Sequence, residues 1–241
     1  MTERAMKPFG LALKDFYSGK KRVKVIFYRD DGLKTKLSIK PFFRSPNDFS
    51  NLEKQAIELC QGRVLDIGAG VGPHSLELQK LGLEVYAIDI SPQACEIMSS
   101  RGIRNVRCTN IYNLDMEIFD TILLLGRSIG FVEDLNGMKR FLNYCKNLLN
   151  PSGIILFDSI DIRVTTKQIH LDYHERNRKM GKYIGEVGCQ MKYKGKYGDK
   201  FQLLHIDPDT LKDCIQELGM LCEILIKEDN GNYLAKISMQ N

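Results

Sequence analysis

The chain has 241 residues, of which 43% are hydrophobic and 27% charged, a composition typical of a globular domain and not of a disordered or collagen-like chain. Its net charge of +5 is mildly basic and falls short of the basic excess of a dedicated nucleic-acid-binding domain. No apolar run approaches the roughly 18 residues of a membrane span, and the N-terminus lacks the apolar core of a signal peptide, so we expect a cytoplasmic protein without a membrane partner.

The first 48 residues differ in pattern from the rest of the chain. Two stretches rich in β-forming residues, 23–29 and 33–39, flank the pair Asp31-Gly32. An Asp-Gly pair between two such stretches is typical of a β-hairpin. We therefore predict an N-terminal extension with a β-hairpin at 1–48, followed by a single domain at 49–241.

From residue 49 onward, helices and strands alternate. Asn47 or Asp48 is expected to cap a first helix, which stops before Gly62. This alternation predicts a doubly wound α/β fold, in which helices cover both faces of a mostly parallel sheet. The buried strands are predicted from apolar stretches at 64–67, 83–88, 106–108, 119–125 and 154–157.

The alternation is interrupted at 163–206 by a polar, basic and tyrosine-rich insertion. We predict a helical turn or two in it, followed by an inserted β-hairpin with strands near 184–193 and 200–206. Asp207-Pro208 then begins another helix. The Asn-Gly pair at 230–231 joins the last two strands, which are therefore expected to be antiparallel.

The most informative segment is the glycine-rich turn after the first buried strand, with glycines at 68, 70 and 72. Glycine lets a ligand approach the backbone, and the N-terminus of the following helix offers free N–H groups and a partial positive charge. The spacing G-x-G-x-G is one residue shorter than the dinucleotide fingerprint, and no Gly-Lys-Ser/Thr follows as in a phosphate-binding loop. Asp89 ends the second strand, where a carboxylate can accept both hydroxyls of an adenosine ribose.

With these residues the chain resembles the class I S-adenosylmethionine-dependent methyltransferases, most clearly over residues 62–160. The first family motif resembles residues 64–72, the ribose-binding acid resembles Asp89, and the fourth-strand motif resembles residues 119–126. The resemblance implies a seven-stranded sheet that ends in a C-terminal antiparallel hairpin, with S-adenosylmethionine as the cofactor. It also implies that Asp66 addresses the ammonium group of the cofactor. The full set of cofactor-binding residues that it implies is Asp66, Gly68, Ala69, Gly70, Gly72, His74, Asp89, Ile90, Asn110, Ile111, Leu125 and Gly126.

Two signatures of nucleic-acid methyltransferases are missing after the fourth strand. The sequence continues as Gly126-Arg127-Ser128-Ile129-Gly130 and lacks the Asn/Asp-Pro-Pro-Tyr/Phe motif of enzymes that methylate amino groups of bases. It also lacks the cysteine motif that cytosine-C5 enzymes carry at this strand end. These departures argue against a base as the methyl acceptor.

Acceptor-side residues are expected at the strand ends and in the 163–206 insertion, which we expect to cover the acceptor site. General base catalysis is required only if the acceptor holds a proton of high pKa. The candidate catalytic residues are Arg127, Asp158 and His174. The predicted substrate contacts are Arg127, Ser128, Tyr173, His174, Asn177 and Tyr183.

No metal site is predicted. His170 and His174 are four residues apart in the insertion, a spacing compatible with a metal pair. A zinc site needs a third and a fourth ligand, and apart from neighbouring acids only the distant His205 offers one.

We expect methyl transfer from S-adenosylmethionine to a small-molecule acceptor by in-line displacement, in which the enzyme mainly aligns nucleophile, methyl carbon and sulfur. Two alternatives stay open. The basic insertion and the run Lys20-Lys21-Arg22 could serve an RNA- or protein-directed methyltransferase. The fold could also belong to a non-catalytic donor-binding protein.

Overall fold

A computed structural model of the chain describes residues 1–114 and 117–240. None of the helices in these ranges combines the length and the apolar character that a membrane crossing requires. The helices are α1 (Glu3–Tyr17), α2 (Asn51–Leu59), α3 (Pro73–Lys80), α4 (Pro92–Ser100), α5 (Leu135–Lys146), α6 (Gln168–Lys179) and α7 (Pro208–Gln216). The strands are β1 (Lys24–Arg29), β2 (Lys34–Ser38), β3 (Arg63–Ile67), β4 (Glu84–Asp89), β5 (Asn105–Cys108), β6 (Phe119–Leu124), β7 (Leu149–Ile160), β8 (Glu186–Tyr193), β9 (Lys196–Tyr197), β10 (Phe201–Leu204), β11 (Met220–Lys227) and β12 (Asn232–Met239).

The larger of two sheets has seven strands in the order β11-β12-β7-β6-β3-β4-β5. The strands from β7 to β5 are parallel, whereas β12 pairs antiparallel with both β7 and β11. The β11–β12 connection contains Asn230-Gly231, as the Asn-Gly signal predicts. The predicted fold class, a mostly parallel seven-stranded sheet with a C-terminal antiparallel hairpin, is confirmed.

Strand β6 lies in the centre of this sheet and is buried on both faces, as its nearly continuous apolar sequence predicts. Of its six residues only Asp120 is partly exposed. Ile122 and Leu124 belong to a core cluster with Phe141 of α5, whereas Leu123 belongs to a second cluster with residues of α2. Helices therefore cover both faces, and the carboxyl ends of the parallel strands meet at one edge, where the glycine turn lies.

Helix α1 was not predicted from the sequence. Its buried residues Ala5, Phe9, Ala12 and Leu13 follow helical spacing, and the side chain of Thr2 caps it by accepting from the N–H of Ala5. A proline within the helix, at position 8, weakens the local helical signal because proline removes an N–H donor and clashes with the preceding turn. Burial of the apolar stripe overrides this penalty.

Three predicted boundaries were wrong. Ser50, and not Asn47 or Asp48, caps α2, in a capping box with Glu53 that satisfies free N–H groups of the first turn. The apolar stripe from Leu135 to Leu149 predicts a helix that is ended by Asn150-Pro151, but α5 ends at Lys146, and Asn150-Pro151 already belongs to β7, where a shift in the register against β6 accommodates the proline. Helix α6 has 12 residues and is longer than the predicted turn or two.

A second sheet combines the N-terminal extension with the insertion. Strands β1 and β2 form the predicted hairpin, and β1 also pairs antiparallel with β8, which pairs with β9 and β10. Phe27 lies opposite Met191 in the β1–β8 pairing. The division into 1–48 and 49–241 stays a prediction, but parts of both segments build this sheet together.

The second sheet and α1 pack against the glycine-turn side of the larger sheet. One apolar cluster joins residues of α1 and β8 to Val71 of the glycine turn and to Ala94 and Ile97 of α4. Gly10 lets α1 approach α4 closely, since a Cβ at this position would lie 2.5 Å from Oγ of Ser91. This packing encloses the space in front of the glycine turn.

Candidate cofactor and acceptor site

A cavity of about 620 Å³ lies between the carboxyl ends of β3, β4 and β6 and the second sheet. This volume is in the usual range for a small-molecule site. The strand-end side carries the glycine turn, Asp89, Asn110 and the Leu125-Gly126 segment. The opposite wall is mostly apolar, with Thr35 beside Phe27, Leu37, Met191, Phe201 and Leu203 of the second sheet; the cavity is also lined by Phe9 of α1 and the connecting residues Phe42 and Phe131.

The glycines of the turn share a backbone conformation, but Gly70 and Gly72 differ in their surroundings. All three have positive φ angles, 69° at Gly68, 61° at Gly70 and 71° at Gly72, which disfavour other residues. A Cβ at Gly72 would lie 2.1 Å from Cδ1 of Ile103, so this glycine is needed for packing, and it does not line the cavity. A Cβ at Gly70 would meet no atom within 4 Å, and this residue does line the cavity. Gly70 therefore leaves open space for a ligand.

Asp89 lies at the carboxyl end of β4 and lines the same part of the cavity. Its carboxylate accepts hydrogen bonds from the backbone N–H groups of Gly70, at 2.9 Å, and Ser91, at 2.8 Å. Burial raises the pKa of this carboxyl group to about 6, and the two N–H donors limit the rise. At pH 7 the carboxylate is therefore mostly ionised, and it has lone pairs left for further donors.

Asp66, by contrast, does not line the cavity. Its side chain is buried and accepts a hydrogen bond of 2.5 Å from the hydroxyl of Ser75, which fastens α3 to β3. Burial raises the pKa of its carboxyl group. Its contact with the ammonium group of the cofactor stays a prediction, and the contacts in the structure are those of a buried link between strand and helix.

The structure adds a charged cluster that the sequence analysis missed. Nε of Arg44 donates to Oε1 of Glu53 at 2.9 Å, and Nε2 of His74 lies 2.7 Å from the same oxygen. Burial raises the pKa of the Glu53 carboxyl, but the hydrogen bonds from His74 and Arg44 outweigh it and lower the pKa to about 2. Arg44 and His74 line the cavity, so the ionised Glu53 holds two nitrogen-bearing side chains at its wall. Arg44 lies in the connector before α2, where no local pattern marks it.

All but two of the predicted cofactor-binding residues line the cavity. The two exceptions are Asp66 and Gly72, described above. Asn110 also caps the turn that follows it, since its side-chain oxygen accepts from the N–H of Tyr112 at 3.1 Å. The residues that line the cavity are Gly68, Ala69, Gly70, His74, Asp89, Ile90, Asn110, Ile111, Leu125 and Gly126.

Arg127 and Ser128, predicted on the acceptor side, also line the cavity. Arg127 has a left-handed backbone conformation, with φ of 60°, and its N–H donates to Oδ1 of Asp158 at 2.9 Å. The hydroxyl of Ser128 donates to the carbonyl oxygen of Ile67 at 3.1 Å. Asp158 itself does not line the cavity, and burial raises the pKa of its carboxyl group. It acts on the site by holding the backbone of Arg127.

The four candidates from the insertion do not line the cavity. The hydroxyl of Tyr173 donates to Asp30 at 2.7 Å, and that of Tyr183 donates to Asp207 at 2.6 Å. The side-chain amide of Asn177 donates to carbonyl oxygens of the chain that leads into β8, and His174 is buried beside it on α6. These contacts fasten α6 and the hairpin to their neighbours. Roles in substrate binding for these residues, and in catalysis for His174, stay predictions without support from their contacts.

His205 is a further cavity residue that the sequence analysis considered only as a remote metal ligand. It directly follows β10, which brings its imidazole to the cavity beside the end of the second sheet. Burial and the charge of Arg127 lower the pKa of this imidazole to about 4, so it is neutral at pH 7. The sequence showed that His205 lies between an apolar strand and the helix start at Asp207-Pro208. It did not show how the sheet that contains this strand packs, and so it did not place His205 at the cavity.

Comparisons with known proteins agree with this geometry. The family model of the methyltransferase domain matches residues 65–157, which contain the glycine turn, Asp89 and β6. A crystal structure of a SAM-dependent methyltransferase from Bacteroides fragilis in complex with S-adenosyl-L-homocysteine is 32% identical, with a TM-score of 0.87 over 100% of this chain and 98% of that chain. The chain belongs to the class I S-adenosylmethionine-dependent methyltransferases.

S-adenosylmethionine is the cofactor of this methyltransferase, and the open space at Gly70 and the ionised Asp89 fit it. Among curated proteins, a ubiquinone biosynthesis O-methyltransferase of Rhodopseudomonas palustris (strain BisB5) is 31% identical over 107 residues, 41% of this chain and 40% of that relative. A relative of the same name from Pasteurella multocida (strain Pm70) is 24% identical over 82% of this chain and 87% of its own length. The matched part spans about two fifths of the length of the first of these relatives.

Proposed function

We propose that this methyltransferase transfers a methyl group from S-adenosylmethionine to a small-molecule acceptor bound against the second sheet. The observation that carries the proposal is a cavity in which the glycine turn and Asp89 face an apolar wall. The cofactor supplies a methyl group that its sulfonium makes electrophilic. The protein therefore mainly has to hold the acceptor in line with that group and keep water out.

At the strand ends, Asp89 then accepts hydrogen bonds from the ribose hydroxyls of the cofactor, and the methionine portion lies in the open space at Gly70. Leu125 and Gly126 follow β6 and border the point where the cofactor half of the cavity meets the acceptor half. Asn110 and Ile111 border the adenine. The hydrogen bond from Gly70 to Asp89 supports this assignment, because it fixes the distance between the turn and the ribose-binding acid before any ligand arrives.

The acceptor half favours a largely apolar small molecule, because most of its wall consists of phenylalanine, leucine and methionine side chains. The names of the two curated relatives, both ubiquinone biosynthesis O-methyltransferases, support a small acceptor as well. The polar residues that line the cavity here include Arg127 and Ser128 after β6 and His205 after β10, with Thr35, Glu133 and Arg140.

The RNA- or protein-directed alternative has one observation in its favour. The two basic segments meet in a groove of about 430 Å³ lined by Lys20, Lys21, Arg22, Lys24, Lys192 and Lys194, among others. The groove and the cavity lie on opposite faces of the second sheet, since Ile26 and Lys192 line the groove whereas Phe27 and Met191 line the cavity. A macromolecule in this groove would not reach the methyl group. Binding of tRNA or rRNA that weakens steeply with salt and accompanies methylation of the RNA would favour this alternative.

Calorimetry and thermal unfolding with S-adenosylhomocysteine test the cofactor half of the proposal. At a ligand concentration of about 100 times the dissociation constant, we expect a stabilisation of roughly 2.7 kcal/mol, or an increase in Tm of roughly 5–10 °C. Radiolabelled S-adenosylmethionine with a small-molecule extract tests methyl transfer. An unchanged Tm with S-adenosylhomocysteine, or an increase with NAD instead, would contradict the proposal.

The affinity for S-adenosylhomocysteine should depend on pH through Asp89. The ribose hydroxyls donate to the ionised carboxylate, so binding lowers a pKa that lies at about 6 in the free protein. We therefore expect the affinity to be constant above pH 7 and to fall by about tenfold at pH 5, because a proton must first leave Asp89. Isothermal titration calorimetry at several pH values checks this. The same profile in Asp89→Asn would assign the pH dependence to another group.

A further inference from the structure

The imidazole of His205 has an unusual hydrogen-bonding state. Within residues 1–114 and 117–240, Nδ1 of His205 is the buried side-chain nitrogen or oxygen that lacks a hydrogen-bond partner. Leaving a buried polar atom unpaired destabilises the fold, so such a group in a native structure calls for an explanation. Its ring lines the cavity, which suggests that a bound ligand completes its hydrogen bonding.

The backbone holds His205 firmly at this place. Its N–H donates to the carbonyl oxygen of Gly185 at 2.9 Å, and a Cβ at Gly185 would lie 1.7 Å from the carbonyl oxygen of His205. Only glycine at 185 allows the two segments to approach this closely. The backbone that carries the ring is therefore in place before a ligand binds, as the support of a group that contacts a reacting atom must be.

Arg127 gives this part of the cavity a positive charge. Its guanidinium donates to Oδ1 of Asn232 at 2.7 Å and, within the described part of the chain, is hydrogen-bonded to no acidic side chain. Together with burial, its charge keeps the imidazole of His205 neutral, as the lowered pKa shows. A neutral imidazole can accept a proton, and a nearby guanidinium stabilises negative charge.

We propose that the methyl acceptor is a hydroxyl group of an aromatic ring and that His205 accepts its proton while Arg127 faces the oxygen. This inference rests on the proposed function. The hydroxyl oxygen forms a bond to the methyl carbon as the carbon–sulfur bond breaks, and that electron pair stays on the sulfur. The proton of the hydroxyl passes to the imidazole of His205 and from there to solvent, so atoms and charges balance.

The charge of Arg127 distinguishes between acceptor atoms. A hydroxyl oxygen that loses its proton becomes more negative, which the guanidinium stabilises, whereas a neutral amine becomes cationic on methylation and is repelled by it. A phenol, with a pKa near 10 as in tyrosine, gives up its proton to an imidazole far more readily than an aliphatic alcohol does. The apolar wall fits the ring that carries the hydroxyl.

The test uses S-adenosylmethionine with a ¹³C-labelled methyl group, together with matched phenols, anilines and thiophenols and a small-molecule extract. We expect NMR to find the labelled methyl on oxygen only. His205→Gln should lower the rate by about 100-fold or more and leave the affinity for S-adenosylhomocysteine unchanged. The affinity of the S-adenosylhomocysteine complex for the phenol should also fall. His170→Gln, whose ring contacts Arg29 away from the cavity, is the matched control and should behave as the wild type.

The acidity of the phenol provides a readout that a purely structural role would not change. A nitrophenol that is already ionised needs no base, so His205→Gln should lose much less activity with it than with an unsubstituted phenol. Label on nitrogen, sulfur or carbon, a wild-type rate in His205→Gln, or an equal loss with all phenols would overturn the inference. If the wild type binds S-adenosylhomocysteine but labels no compound, the proposed function fails instead.

Discussion

Gly70→Val should weaken binding of S-adenosylhomocysteine by at least about 100-fold, which corresponds to roughly 2.7 kcal/mol. Two effects add here. A β-branched residue at a φ of 61° is strained by about 1–3 kcal/mol, and any shift of the turn that relieves this strain would disturb the hydrogen bond from Gly70 to Asp89. Its side chain would also occupy the space that Gly70 leaves open toward the cavity, where we place the methionine portion of the cofactor.

Isothermal titration calorimetry measures the affinity, and thermal unfolding reports the strain separately. Gly219→Val is a suitable control, because Gly219 has a φ of 66°, meets no atom within 4 Å of its Cβ and does not line the cavity. We expect both variants to lose similar stability and only Gly70→Val to lose affinity. Wild-type affinity in Gly70→Val would show that the cofactor does not pass along the glycine turn.

Asp89→Ala should have an effect of similar size for a different reason. It removes two hydrogen bonds from ribose hydroxyls to an ionised group, each contributing about 1.5–3 kcal/mol, so we expect a loss of affinity of at least about 100-fold. It also removes the acceptor for the N–H groups of Gly70 and Ser91, which loosens the turn. Some of the loss is therefore expected even for a ligand without ribose hydroxyls.

A thermodynamic cycle that combines Asp89→Ala with the 2′-deoxy analogue of S-adenosylhomocysteine separates the lost ribose hydrogen bonds from the loosening of the turn. In the wild type, the missing hydroxyl should cost about 1.5–3 kcal/mol, and in Asp89→Ala it should cost almost nothing. Asp31→Ala, which removes an aspartate paired with Arg29 outside the cavity, is the control and should bind as the wild type. An equal cost of the missing hydroxyl in both proteins would remove Asp89 from the ribose site.

Several local signals of the sequence were correct, although the predicted cap of α2 was not. Asp207-Pro208 begins α7 as predicted, because an N-cap side chain and a proline at the first helical position act within one turn. The same holds for the hairpin at Asp31-Gly32 and for the position of the glycine turn and Asp89. Most of the cavity's cofactor half follows from these elements, since parallel strands place their carboxyl ends together.

The acceptor half depended on contacts between residues far apart in the chain. The pairing of β1 with β8 joins segments separated by more than 150 residues, and it is this pairing that builds the apolar wall and the basic groove on its other face. Nothing in either hairpin specifies which exposed strand edge it will join, because backbone hydrogen bonds between strands are the same for many partners. For this reason the sequence predicted His174 and Tyr173 at the acceptor, while the folded chain brings His205, and not these two residues, to the cavity.

By itself, then, the amino-acid order determined the fold class, the glycine turn and the acid that follows the second buried strand, because these depend on short-range sterics and on burial of apolar stretches. Only the tertiary structure decided which side chains form the wall opposite the glycine turn, which aspartate faces the cavity and which histidine, within the described residues, has a buried ring nitrogen without a partner. Those outcomes depend on which surfaces pack together, and that is a property of the whole chain.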